Sequence, residues 1–204
     1  MPLWGTTHDA IDNKPQFLAD DADSDYDITK AFASNKGWMM RNSAATGNDN
    51  TAADDEVLVA IGGLAGTSTS TGLKRPTITR VRWGQAAYVA ATAITVEVTW
   101  DELVEYDAGS AATLVVTSTG TNLTLTATHI DGVAIADELQ GNTVRFSGTT
   151  VDEAATLSIP NNYVLVDPDL KDAVDGTTLN AASKTITAAV KTASGYGTRA
   201  VTAS

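Results

Sequence analysis

From Ile94 onward apolar and polar positions alternate: Ile94, Val96, Val98 and Trp100 are separated by Thr95, Glu97 and Thr99. Successive side chains of a strand point to opposite faces, so a period of two predicts a half-buried β-strand over 94–100. Leu123, Leu125 and Ala127 alternate with Thr124, Thr126 and Thr128 and predict a second strand over 123–130. Shorter runs at 77–83, 112–118, 143–147, 155–159, 163–166 and 184–190 extend the pattern. Turn residues punctuate it, among them Asp107-Ala108-Gly109-Ser110, Asp131-Gly132, Pro160-Asn161-Asn162 and Asp175-Gly176. Residues 167–175 are expected as a loop or a single helical turn. Short strands with turn signals this regularly spaced predict an all-β chain folded as a β-sandwich, with Trp100 as a large core residue between its sheets.

The first part of the chain is patterned differently. Residues 1–35 are polar and acidic, with Asp9, Asp12, Asp20, Asp21, Asp23, Asp25 and Asp27 against Lys14, and show no periodicity. They predict an extended arm. Trp4, Phe17, Tyr26 and Phe32 are spaced too irregularly for one helix face, which marks them as anchors that dock either on the protein's own sheet or on a neighbouring subunit. Trp38 joins them on a strand at 37–41, followed by a polar loop over 42–55 and a strand at 56–61. Two strands about a loop suggest a hairpin. The Gly/Ser/Thr-rich stretch 62–72 reads as a flexible linker. The expected organisation is therefore an attachment region over 1–72, a sandwich over 73–195 and a flexible tail over 196–204.

Composition narrows the function classes. The formal net charge is -12, from 25 acidic and 13 basic residues. Such a surface repels phosphate backbones, so no nucleic-acid partner is expected. The chain has no cysteine, which excludes disulfides, thiolate nucleophiles and thiolate zinc sites. Met1-Pro2-Leu3-Trp4 lacks the basic-then-apolar pattern of a secretory leader, and no apolar run approaches the roughly 20 residues of a membrane helix, so no membrane partner is expected.

Candidate chemistry is sparse. The aspartates of 21–27 invite a calcium reading, but a calcium loop starting at Asp21 would need glycine at Tyr26 and glutamate at Phe32. The favoured reading is a solvated acidic arm, with no metal and no cofactor. His8 and His129 have no partners at the spacing a zinc or general-base site needs. Asp101, Glu102, Glu105 and Asp107 suggest a carboxylate pair for glycoside cleavage, set against solvated acids in a strand-to-strand connection. Arg75, Arg80 and Arg82 are the one basic cluster, and Arg80 and Arg82 fall on one strand face. No catalytic residues emerge, and the expectation is a protein that is not an enzyme.

Two stretches carry a resemblance. Met1-Pro2-Leu3-Trp4-Gly5, Asn13-Lys14-Pro15, Gly37-Trp38 and Glu56-Val57-Leu58-Val59-Ala60 resemble the N-terminal part of virion structural proteins of marine tailed phages, including those of cyanobacteria. The stretch 95–104, with Ala112-Thr113-Leu114-Val115-Val116, is similar to bacterial immunoglobulin-like modules, from which 133–139 and 167–178 depart. The resemblance implies an immunoglobulin-like sandwich in a virion, most directly a capsid decoration or cement protein on the head surface. Its implied partners are other virion proteins, the major capsid protein first, with the chain a homo-oligomer or present in many copies. Trp4, Phe17, Tyr26, Phe32 and Trp38 are then the partner-binding residues. A neck, tail or fibre protein is the alternative. An alternative of another class is a carbohydrate-binding module stacking host-surface glycans on Tyr88, Tyr106 or Tyr163.

Overall fold

A computed structural model describes residues 15, 18, 28–41, 54–65, 75–107, 109, 111–166, 170–194 and 197–203. Its organising strand is β6 (Ala93–Tyr106), 14 residues long. Burial alternates to Val98, runs unbroken to Glu102, and then alternates again to Tyr106. Along one edge β6 pairs antiparallel with β10 (Leu139–Thr149), with a register shift between Gly141 and Thr143. Its other edge is divided among three strands. β4 (Ile78–Trp83) covers it up to Trp100 and β13 (Leu170–Asp172) takes over at Val104. Between them β1 (Phe32–Ser34) pairs in parallel, Ala33 opposite Glu102.

Beyond β10 the sheet continues through β8 (Leu123–Ile130), β7 (Thr113–Ser118), β11 (Ala155–Ser158), β15 (Arg199–Thr202) and β5 (Ala87–Val89). It is mixed, because β1–β6 and β15–β5 are parallel. It curls until this far end meets β4 again. There Trp83 Nε1 donates to Gly197 O at 3.1 Å, Ser194 Oγ accepts from Val81 N at 3.1 Å, and Tyr88 Oη donates to Thr95 O at 3.1 Å. β9 (Val133–Ala134) folds back on β8, and β12 (Tyr163–Val164) pairs apart with β14 (Thr185–Ile186). The enclosed core takes the apolar sets of the alternating strands: Ile94, Val96, Val98 and Trp100, with Leu114, Leu125, Phe146 and Leu157. Each such side chain contributes about 1.5–3 kcal/mol by leaving water. Trp100 is fully buried, and its indole N–H donates to Ser183 O at 2.8 Å. The chain is all-β and sandwich-like, as its alternation predicts.

β1, β2 (Gly37–Met40) and β3 (Glu56–Ala60) form an antiparallel ladder, so the hairpin expected from 37–41 and 56–61 is present. Gly37 is required in it. Its φ is +130°, and a Cβ there would lie 2.0 Å from Val59 O. Alternation splits the ladder's side chains. Ala31, Ala33, Trp38 and Met40 build a small core with Leu64 and Ala65, while Phe32 and its cross-strand partner Met39 face the other way.

Several expectations are corrected. Residues 28–34 are a 3-10 turn (Ile28–Lys30) followed by β1 rather than extended arm. Leu64 and Ala65 are buried, so the linker does not begin at Gly62; 66–74 lie outside the described residues. The ladder β1–β3 joins the main sheet through β6, so the expected boundary falls within one continuous sheet. The stretch 184–190 is strand only at Thr185–Ile186. Thr187 Oγ1 then accepts from Val190 N at 3.1 Å and caps helix α1 (Ala188–Ala193), because a threonine hydroxyl before Ala-Ala-Val-Lys suits a helix start. Within the expected tail, Arg199–Thr202 is an interior strand of the sheet with Val201 buried.

Candidate functional site

The most constrained polar region lies where the ladder β1–β3 meets β6 and β10. Arg41, one residue past β2, makes three bonds there: Nε to Asp131 Oδ2 at 3.0 Å, Nη1 to Asp55 Oδ2 at 3.1 Å and Nη2 to Gln140 O at 3.0 Å. Its guanidinium also lies 5.4 Å from the centre of the Phe32 ring. Asp131 accepts Asn142 N at 3.2 Å and Thr143 N at 3.0 Å as well. Burial pushes its carboxyl above the usual range, and the Arg41 charge pulls it back. Gly141 lets Asp131 approach, since a Cβ there would sit 2.5 Å from Asp131 Oδ2. Asn142 is a second tie: its amide donates to Lys30 O at 3.1 Å and to Trp100 O at 3.2 Å.

The adjoining stretch of β6 carries two buried carboxyls. Asp101 Oδ1 accepts Thr77 N at 2.6 Å. Glu102 is 1% exposed, and its Oε1 has no hydrogen-bond partner among the described residues. Burial, helped by the negative charges of Asp101, Asp172 and Asp175, pushes its carboxyl from 4.5 up to about 8. At neutral pH Glu102 is thus chiefly a neutral acid. Asp172 is also buried, which raises its carboxyl, while its Oδ1 accepts Val174 N at 2.8 Å. Asp175 is held low by hydrogen bonds from the Thr177 hydroxyl and N–H. Among the described residues no group of three or more His, Asp or Glu is placed to hold a metal ion.

The residues singled out in the sequence fall as follows. Trp38 is fully buried in the ladder's own core, and Phe32 is buried beneath Arg41. Both therefore dock on the protein's own sheet. Trp4, Phe17, Tyr26, His8 and the aspartates of 20–27 lie outside the described residues. Asp101 and Glu102 are interior strand residues rather than solvated loop acids. Glu105 accepts Gln140 Nε2 at 2.7 Å, and Asp107 pairs with Lys171, so three of the four acids, Asp101, Glu105 and Asp107, are engaged in separate contacts. His129 Nδ1 lies 3.0 Å from Thr128 Oγ1. Arg80 is buried and donates to Thr29 Oγ1 at 3.1 Å, whereas Arg82 stands opposite Glu97, which accepts Arg145 at 2.9 Å. Tyr88 and Tyr106 are buried, and Tyr163 packs on the core with its hydroxyl accepting Val115 N at 3.0 Å. Tyr88 and Tyr106 are thus closed to sugar stacking, whereas Tyr163 is half-buried. Arg41, Asp131 and Asn142 carry only local signals in the sequence, a strand end at Arg41 and turns at Asp131-Gly132 and Gly141-Asn142, because their partners lie up to 112 positions away.

Comparison of the chain with protein-family models, with curated proteins and with solved structures finds no match.

Proposed function

We propose that the chain is a non-enzymatic structural component of a tailed-phage virion, bound to the outside of the head as a decoration protein. The observation that carries this reading is the location of the phage-like sequence islands. Gly37-Trp38 and Glu56-Val57-Leu58-Val59-Ala60 are the paired strands β2 and β3. β3 ends the sheet, with a described neighbour on one side only and Val57 46% exposed, so this end offers a strand edge to a shell protein. The net charge of -12 favours the outer surface of a head over contact with packaged DNA. Among the described residues the carboxyls and the histidine form no nucleophile–base pair. Repeated copies on a shell give avidity, so each contact can be weak.

Binding of purified protein to heads that lack it tests the reading. The chain with residues 1–27 removed keeps the 3-10 turn and β1, and so separates loss of the arm from loss of the fold. The full chain is expected to bind at a fixed copy number and the truncated chain to be lost on washing. Failure of the full chain to bind heads, or its recovery from tails alone, would overturn the assignment to the head.

A further inference from the structure

Glu102 occupies an unusual place. It shares the core-facing parity of Trp100 and Val104 on β6, where the pattern calls for an apolar residue. It also lies at the one point where the edge of β6 changes hands, opposite Ala33 of β1. Among the described residues, the ties between the ladder with its 3-10 turn and the main sheet include this register pair, Asn142 bridging Lys30 O and Trp100 O, Arg41 on Asp131 and Gln140 O, and Arg80 on Thr29 Oγ1. We propose that Glu102 is a proton-operated latch: neutral, it lets β1 seat against β6, and ionised, it releases the ladder β1–β3 from the main sheet.

The surroundings give the direction. From its own strand Glu102 faces the charge of Asp101; from β13 and the turn after it, those of Asp172 and Asp175. Among the described residues no cation offsets them at Glu102: Arg75 acts on Asp172 and Asp175, and the buried Arg80 of β4 donates to Thr29 Oγ1 in the 3-10 turn. On the ladder side the charged groups are Lys30 in the 3-10 turn and the Arg41–Asp55–Asp131 set. A buried carboxylate among like charges, without a donor on Oε1, is disfavoured in the closed state and restored to water when β1 lifts. With a closed-state value of about 8 against 4.5 in water, opening is favoured by rising pH between those limits and levels off above them. Opening would also uncover Phe32, so an anchor residue buried in the closed form becomes available above neutral pH. The latch concerns the fold alone and is independent of the virion reading.

Hydrogen exchange of the full chain, followed from about pH 6 to pH 9 and corrected for intrinsic rates, tests it. The opening constant of amides in β1, β2 and β3 is expected to rise about tenfold per pH unit and to flatten above about pH 8, while β8 and β10 stay protected. Glu102→Gln, which mimics the neutral acid, is expected to remove that rise. Asp101→Asn, which keeps an oxygen for Thr77 N–H, is expected to move the flattening to lower pH. Opening that is independent of pH, that rises equally in Glu102→Gln, or that spreads evenly through β6, β8 and β10 would overturn the latch.

Discussion

Arg41 concentrates more of the fold's polar specificity than any sequence pattern around it suggests. Its fork reaches two carboxylates and a backbone carbonyl at once, an arrangement that lysine's single ammonium cannot reproduce. Its side chain is partly exposed, so the electrostatic gain is screened. Arg41→Ala should therefore cost about 1–3 kcal/mol in urea unfolding, and Arg41→Lys should recover less than half of it. The deficit should also depend on pH. Burial raises the Asp131 carboxyl and Arg41 lowers it, so in Arg41→Ala it rises further. The added penalty is present where unfolded Asp131 is ionised, and it disappears as pH falls below the ordinary carboxylate range. Unfolding midpoints at neutral and acid pH check this; an equal deficit at both would leave only lost packing. Trp100 poses a different residue-level question. Trp100→Phe removes the donor to Ser183 O and leaves that carbonyl buried, at a cost of about 1–3 kcal/mol besides the cavity, read from the same denaturant curves.

Among the elements, β6 shows what alternation can and cannot reveal. Its first half, with β7 and β8, was legible because one face meets the core and the other carries Thr and Glu. Its second half was not, because Asp101 and Glu102 look like loop acids until neighbouring strands bury them. β5, β9, β13 and β15 are two to four residues long, too short for a period to register. Helix α1 is hidden for a related reason: a short run of Ala and Val fits a strand as well as a helix, and the Thr187 cap decides for the helix. The candidate site was legible only in part. Trp38 and Phe32 stood out as anchors, and their burial in and under the ladder follows from a pairing that needs Gly37. Gly37→Ala would place a methyl against Val59 O at a strained φ of +130°. It should destabilise the ladder by at least about 1–3 kcal/mol. The expected result is lost exchange protection in β1, β2 and β3 with protection kept in β8 and β10. Uniform loss across both would mean that the ladder and the main sheet unfold as one.

For the whole molecule, the decisive feature is that the sheet curls until its β5 end meets β4, and Ser194 with residues 197–202 makes that meeting. β15 lies between β11 and β5, pairing antiparallel with one and parallel with the other. Val201 is buried beneath it, and Gly197, just before it, accepts the Trp83 indole N–H. The Arg199 guanidinium lies 6.0 Å from the centre of the Trp83 ring and donates to Gln85 O at 3.2 Å. A tail of small polar residues thus closes the core between β4 and β5. Removing it strips both neighbours of a ladder and exposes apolar surface around Val201. Burial of Val201 alone contributes about 1.5–3 kcal/mol, and each buried backbone group left without a partner adds to the loss. A chain ending at Thr198 should therefore be less stable by at least about 3 kcal/mol and should bind a hydrophobic dye that the full chain excludes. A fraying tail would instead leave the unfolding midpoint within about 0.5 kcal/mol of the full chain, so one pair of denaturant curves separates closure from ornament.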